Sequence, residues 1–461
     1  MISVVQPRSP PVAFMSVSSW NSGVSKTPTS SHQRAGVSPH AEQTQNNGWR
    51  SDMQPFYARA TFMKMCIPAL VYSLLFNSLL RVLRFVVPFN SWLRINPSTL
   101  HPEDCFVTPN SPPIAIVTGS NTGVGFETAL ELVKRGYHVI LACRSRQKGL
   151  DAADKINKSV ENDSTTMGKA SFLHPLDLAS FSSVRSFCKS FHEKYDSLNI
   201  LVNNAGINSQ GDITEDGLEA CFQSNFVGHF LLTKLLLPNL LKAKNTYKSN
   251  KYKDEAGRIV NLSSVTHHFA PGNERANPAD EGSSDDLPQN NGIHDKHFWL
   301  GSATPGVSSA AYRESKLASV LFTIELNKRY GGEKGIRSIA VNPGSVSSDI
   351  WRNESALTQK VYRMVYLTPK QGSSTSIAGS IGNLPDDAIY LQPYWQPTFR
   401  RKIYSTIQSF QRGYPLPFPL FEMLGPYISH SVTAPRLPSD GCGGYESSGQ
   451  LWDACESLIA D

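Results

Sequence analysis

From Ile114 onward the sequence predicts a doubly wound α/β fold, in which helices cover both faces of a parallel sheet. Three observations predict it. Short apolar runs alternate with helical periods, a glycine-rich loop joins the first run to the first helix, and clusters of small or polar residues sit where later runs end. Strands alternating with helices argue for crossover connections and parallel pairing. The expected architecture is a Rossmann-type three-layer α/β/α sheet in a single catalytic domain over residues 111–461, behind an N-terminal extension.

Ile114–Thr118 reads as the first strand, and Gly119-Ser120-Asn121-Thr122-Gly123-Val124-Gly125 leads from it into a helix over Glu127–Arg135. Glycines there permit a tight turn and close backbone approach to a pyrophosphate, while the helix N-terminus attracts the anion. The second strand, Tyr137–Cys143, runs into Arg144-Ser145-Arg146-Gln147-Lys148. An NAD-selective chain would place Asp or Glu at this point for the ribose hydroxyls. Arginine suits a 2′-phosphate through bidentate bonds, so NADP(H) is favoured over NAD(H), with Arg144 as the contact. Ala170–Leu176 is the third strand, and Asp177-Leu178 at its end offers a carboxylate to an adenine amino group. A helix over Ser182–Tyr195 precedes the strand Ile200–Asn203. Asn204-Ala205-Gly206 then lets the backbone approach a ligand at the carboxyl edge of the sheet, where open α/β sheets bind ligands. The helix Phe226–Lys242, the strand Arg258–Leu262, the helix Leu317–Tyr330 and the strand Arg337–Asn342 complete the pattern.

Reaction chemistry is carried by Ser263-Ser264 and by Tyr312 with Lys316. Tyrosine followed four residues later by lysine also occurs at Tyr247/Lys251, Tyr330/Lys334 and Tyr366/Lys370, so spacing alone selects nothing. Context does. Tyr247 sits in a polar run, Gly331-Gly332 follows Tyr330, and Pro369 lies between Tyr366 and Lys370. Tyr312 follows the glycine loop, the Asn-Asn-Ala-Gly segment and the serine pair in that order, and it alone of the four opens a long apolar-periodic helix. A phenol titrates near pH ~10 in water. Lys316 lies on the same helical face and is expected to lower that value by favouring the phenolate. Ser264 would donate to a substrate oxygen within reach of the phenol. Such a phenol serves as general acid when a carbonyl is reduced and as base when an alcohol is oxidised.

The remaining segments bound the organisation. Residues 1–62 are rich in Ser, Pro, Asn, Gln and Gly without apolar period, and read as a disordered or targeting extension. Residues 63–94 hold an apolar run interrupted by Arg81 and Arg84. It is short for a spanning helix and reads as a membrane-associating segment. Arginines after the run place the C-terminal domain on the cytosolic side. Residues 265–309 and 397–430 interrupt the alternation and read as insertions. The net charge of +6 is dispersed, which argues against a nucleic-acid surface. Seven cysteines without Cys-x-x-Cys spacing, and histidines at 267, 268, 294 and 297 without ligand spacing, point to a reducing compartment and no metal site.

Taken in order, Thr-Gly-x-x-x-Gly-x-Gly, Asn-Asn-Ala-Gly, Ser264, Tyr312-x-x-x-Lys316 and Pro343-Gly344 resemble the short-chain dehydrogenase/reductase superfamily. Tyr312-Arg-Glu-Ser-Lys-Leu-Ala, Asn225-Phe-Val-Gly-His-Phe-Leu-Leu-Thr and Leu451-Trp-Asp-Ala-Cys-Glu resemble its retinol-dehydrogenase-like branch. That resemblance implies an NADP(H)-linked oxidoreductase of lipophilic alcohols or carbonyls (retinoid, steroid or fatty), often membrane-bound, with the endoplasmic reticulum favoured over plastid or mitochondrion. It implies that Asn225 kinks a helix and holds a water in a proton relay with Lys316. Lys316 would bind the nicotinamide ribose, and Pro343-Gly344 would flank the nicotinamide. Pairing of two copies through the helices carrying Asn225 and Tyr312 is a further implication. The alternatives are a light-dependent protochlorophyllide-type reductase and a non-catalytic NADP-binding regulatory protein.

Overall fold

The computed structural model describes residues 112–461 except 162–167, 210, 244–254, 271–295, 309, 352–354, 383, 385–387, 396–427, 434–443 and 461. The extension 1–62 and the apolar segment 63–94 therefore lie outside the described residues. Among the described residues no helix is long and apolar enough to cross a membrane.

Among the described residues eight strands form one sheet in the order β3-β2-β1-β4-β5-β6-β7-β8. β1 (Ile114–Thr118), β4 (Ile200–Asn203) and β5 (Arg258–Leu262) have the bounds the sequence predicts. β2 (His138–Ala142) and β6 (Arg337–Val341) are each slightly shorter. β3 is only Lys169–Ser171, against the expected Ala170–Leu176. His174-Pro175 follows, and a proline has no N–H to continue a ladder. β7 (Tyr390–Trp395) pairs parallel with β6, and β8 (Ile428–Thr433) pairs antiparallel with β7. Neither of these two strands is predicted from the sequence. Of the expected 397–430 insertion, residues 397–427 lie outside the described residues and 428–430 belong to β8.

Side-chain alternation sorts the sheet into two cores. Ala115, Val117, Val139, Leu141, Ile200 and Val202 pack on one face. Ile116, Ile140, Leu201 and Ile259 pack on the other. A slip of one residue in any strand would exchange these sets, so the double burial fixes register. The first face is covered by α1 (Gly123–Lys134), α2 (Arg146–Val160) and α8 (Pro369–Ile381). The second is covered by α3 (Phe181–His192), α4 (Gly228–Lys242), α5 (Lys296–Ala303), α6 (Ala311–Tyr330) and α9 (Gly444–Leu458). An amphipathic helix, α7 (Ala356–Val365), precedes α8. The three-layer α/β/α expectation is met.

Two further helices are not predicted from the sequence. α5 lies inside the expected insertion 265–309 and buries Phe298 and Trp299 in the core. α8 opens with Pro369 in its first turn under a capping box of Thr368 and Gln371. Proline tolerates that position because its missing N–H would have had no helical partner.

α9 lies against both α4 and α6. Trp452 sits 4.9 Å from Phe230 of α4 and 6.0 Å from Phe322 of α6, measured between ring centroids. The Arg329 guanidinium stacks over the same indole at 4.5 Å. Lys234 pairs with Glu456, and buried Ser448 donates to Glu325 at 2.7 Å. The helices on which the resemblance places a dimer contact thus carry a helix of their own chain.

Candidate active site

The strand order places β1 and β4 side by side while their connections leave in opposite directions. That switch point opens a crevice at the carboxyl ends of the strands. Thr118 ends β1, Asn203 ends β4, Leu262 ends β5 and Val341 ends β6. Every segment singled out for ligand chemistry leaves the sheet at this edge.

The glycine loop is built for close approach. Gly119 has φ +62°, and a Cβ on it would lie 2.9 Å from the Ala205 Cα. Only glycine satisfies both that left-handed backbone and that contact. Asn204 Nδ2 donates to the Thr118 carbonyl at 2.7 Å, tying the Asn-Asn-Ala-Gly turn to the loop. Ser120 turns its hydroxyl inward to the Val117 carbonyl at 2.8 Å, so its side chain serves the loop itself. Asn121 is half-buried, while Val124 packs with Val346 and Leu367. Gly123 and Gly125 lie in the first turn of α1. Arg144 is 78% exposed at the end of β2, with the Asp177 carboxylate 3.9 Å away. The other Asp177 oxygen accepts the Ala179 N–H at 3.0 Å, and Leu178 is buried. Pro343 is half-buried, and Gly344 donates its N–H to Asn342 Oδ1 at 3.0 Å.

The structure brings Ser264, Tyr312, Lys316 and Asn225 to one place. Ser264 accepts the Thr266 N–H at 3.3 Å and hydrogen-bonds the Tyr312 phenol. Lys316 Nζ donates to the Leu262 carbonyl at 3.1 Å and lies 5.5 Å from the Tyr312 ring centre. Ser263 Oγ donates to the Lys316 carbonyl at 2.8 Å, which fixes α6 against the end of β5. A Cβ on Gly206 would sit 3.3 Å from Asn225 Oδ1 and 3.5 Å from Lys316 Nζ. Glycine here leaves the space between those two groups open.

Asn225 lies in a π-helical turn, Gln223–Val227, immediately before α4. Such one-turn insertions displace backbone groups from the helical ladder and cluster at functional sites. The Asn225 amide holds both backbone groups of Ile207. Oδ1 accepts its N–H at 2.7 Å, and Nδ2 donates to its carbonyl at 3.0 Å. Nδ2 also reaches Ser315 Oγ at 3.1 Å. The side chain therefore anchors the loop after Gly206 directly.

Electrostatics correct one expectation. Burial pushes the Tyr312 phenol well above its ordinary value, while the Ser264 hydrogen bond pulls the other way. Burial also pulls the Lys316 ammonium down to about 8. The sequence predicts that Lys316 lowers the phenol; the shift is upward, and desolvation is its largest cause. The buried Cys221 thiol beside Asn225 is likewise pushed up by burial, to about 12, and is no nucleophile.

The decoy pairs stay outside the site. Tyr330 is the last residue of α6, capped by Gly331, and Tyr366 caps α7. Tyr247 lies outside the described residues. Sequence reasoning missed His229, four residues after Asn225, whose helical spacing was the available signal. Its ring is buried between Thr118 and Asn225.

A cluster of Ser264, Tyr312 and Lys316 beside a glycine loop at a doubly wound switch point defines an oxidoreductase class. A family model described as short chain dehydrogenase matches residues 113–275. Retinol dehydrogenase 11 of Mus musculus is 37% identical over 268 residues, covering 57% of this chain and 72% of that protein. Polyprenol dehydrogenase of Homo sapiens is 34% identical over 286 residues, covering 60% and 76%. Retinol dehydrogenase 12 of Homo sapiens is 35% identical over 267 residues, covering 57% and 72%. This chain belongs to the short-chain dehydrogenase/reductase family, in its retinol-dehydrogenase-like branch.

Proposed function

We propose that the protein is an NADP(H)-dependent oxidoreductase that interconverts a lipophilic alcohol and its carbonyl, with Tyr312 as general acid/base. The single observation that carries this reading is the convergence of Ser264, Tyr312 and Lys316 at the sheet edge beside the glycine loop. The names of two relatives, a retinol and a polyprenol dehydrogenase, support a lipophilic substrate. The site suits a dinucleotide: the Gly119–Ala205 contact keeps a cradle clear, and the exposed guanidinium of Arg144 stands at the end of β2. Gly119 to Asn121, Gly123 to Gly125, Arg144, Asp177, Leu178, Asn204 to Gly206, Tyr312, Lys316, Pro343 and Gly344 would hold it. When bound, the dinucleotide supplies or accepts the hydride.

The protein's own groups manage the proton. Ser264 holds the substrate oxygen beside the phenol, and Tyr312 gives that oxygen a proton as the carbonyl becomes an alcohol. Lys316 offsets the negative charge left on the phenolate. We further propose that the protein associates with a membrane through residues 63–94, which would bring a lipophilic substrate to the site.

Cofactor choice is tested by assaying the full chain with retinoid, steroid and fatty carbonyls, using NADPH or NADH. NADPH should be preferred. Arg144→Ala should raise the KM for NADPH by roughly 10- to 100-fold, as one charge-assisted hydrogen-bond set is lost, with the KM for NADH unchanged. Equal effects on both cofactors would remove Arg144 from 2′-phosphate recognition.

The pH dependence follows from the two shifts. A raised phenol pKa keeps Tyr312 protonated through neutrality and beyond, the form carbonyl reduction requires. A lowered lysine pKa discharges Lys316 as pH rises through about 8. Reduction should therefore hold level below that pH and decline above it, in kcat/KM profiles of the purified protein. A decline that sets in near pH 6 instead would contradict the assignment of these two groups.

A further inference from the structure

His229 is 3% exposed and lies between two parts of the site that no chain segment joins directly. Its Nδ1 is 3.0 Å from the Asn225 carbonyl oxygen. A carbonyl only accepts, so Nδ1 carries the hydrogen. Its Nε2 is 2.8 Å from Thr118 Oγ1. Burial, reinforced by the charge of Lys316, pulls the imidazole down to about 4, so the ring is neutral at physiological pH and Nε2 is bare. The Thr118 hydroxyl has one hydrogen. The ring nitrogen at 2.8 Å is the nearer acceptor; the Val202 carbonyl is 3.3 Å away. Thr118 Oγ1 then keeps its lone pairs for the N–H groups of Asn204 and Ala205, each at 2.9 Å.

The result is a chain with one direction. Two peptide N–H groups of the Asn-Asn-Ala-Gly turn donate to Thr118, Thr118 donates to His229, and His229 donates to Asn225. At its far end the Asn225 side chain grips Ile207, the residue after that same turn. A neutral imidazole supplies a rigid donor and acceptor on opposite sides of one ring, as the two ends demand.

Resting on the activity proposed above, we propose that His229 is a positioning residue whose neutral Nδ1–H ring locks the Asn204–Ala205 turn and the Asn225 carbonyl into one unit. Through it the dinucleotide side of the crevice and the Tyr312–Lys316 side keep a common register.

The test uses the full chain. His229→Phe keeps a ring but removes both bonds; His229→Gln restores a donor and an acceptor. His229→Phe should lower kcat by on the order of 10- to 100-fold, the scale of a small misplacement of reacting groups. It should also raise the KM for NADPH, and His229→Gln should recover most of both. Selective ¹⁵N-histidine labelling of the wild type, with the ring assigned by its absence in His229→Gln, should show hydrogen on Nδ1 and none on Nε2 at neutral pH. A folded His229→Phe with wild-type kcat and KM would overturn the proposal, as would an Nε2–H ring or an imidazolium. The tautomer is read without turnover. It decides the proposal even if His229→Phe does not fold, and separates its failure from a failure of the activity.

Discussion

Tyr312→Phe should lower carbonyl reduction by roughly 10²- to 10⁴-fold, the range a positioned acid/base contributes. The substitution removes one oxygen and nothing else. The ring stays packed against the core, and Lys316 keeps its place over the ring face and its bond to the Leu262 carbonyl. The half-buried Tyr312 phenol accepts a hydrogen bond from Ser264, which loses that partner when the oxygen is gone. Cofactor affinity, read by NADPH fluorescence titration, should change little, because the glycine loop and the Asn204 turn keep their own bonds in the variant. kcat and kcat/KM should therefore fall together, the mark of an interaction made in the transition state. Tyr330→Phe is the matched control, since Tyr330 stands four residues before Lys334 in the same spacing but at the far end of α6. Full turnover by the Tyr312 variant would remove the phenol from the proton path.

The inner strands were legible because burial on both faces leaves continuous apolar runs: Ile114–Thr118, Ile200–Asn203 and Arg258–Leu262 begin and end as read. The site motifs were legible because each sits where such a run stops. β7 was not legible. Its Pro393 is a poor strand former, and only Tyr390 and Leu391 pair with β6. α2 was hidden for another reason: its buried face is made of Gly149, Ala152 and Ala153 beside Ile156 and Val160, too small to produce a strong apolar stripe. α5 was hidden in polar surroundings, with only the short run Phe298-Trp299-Leu300 as an apolar signal. The π turn at Asn225 is invisible to any 3.6-residue period, because one inserted residue shifts phase without changing composition. The balance of pKa shifts was misread because spacing shows which charges are near each other and says nothing of how dry the pocket is.

Trp452→Ala should destabilise the fold by about 3–5 kcal/mol, the range for deleting a large buried aromatic. The indole is 5% exposed and meets Phe230, Phe322 and Tyr330, with the Arg329 guanidinium on its face. Its Nε1 donates to Glu456 at 2.9 Å, and Glu456 in turn holds Lys234 of α4. Removing the ring leaves a cavity bounded by two helices, and those helices carry Tyr312 and Lys316 on one side and follow Asn225 on the other. At 2–4 °C per kcal/mol for a domain of this scale, the melting temperature should fall by roughly 10 °C, measured by circular dichroism. The fall in activity should follow the unfolded fraction, since no group of the proton path is touched: at about 15 °C the folded variant should keep near wild-type kcat. α9 therefore acts on catalysis through the stability of α4 and α6. A variant that melts with the wild type would show that α9 is dispensable to those helices, and one that stays folded yet loses kcat at low temperature would show that it shapes the site itself.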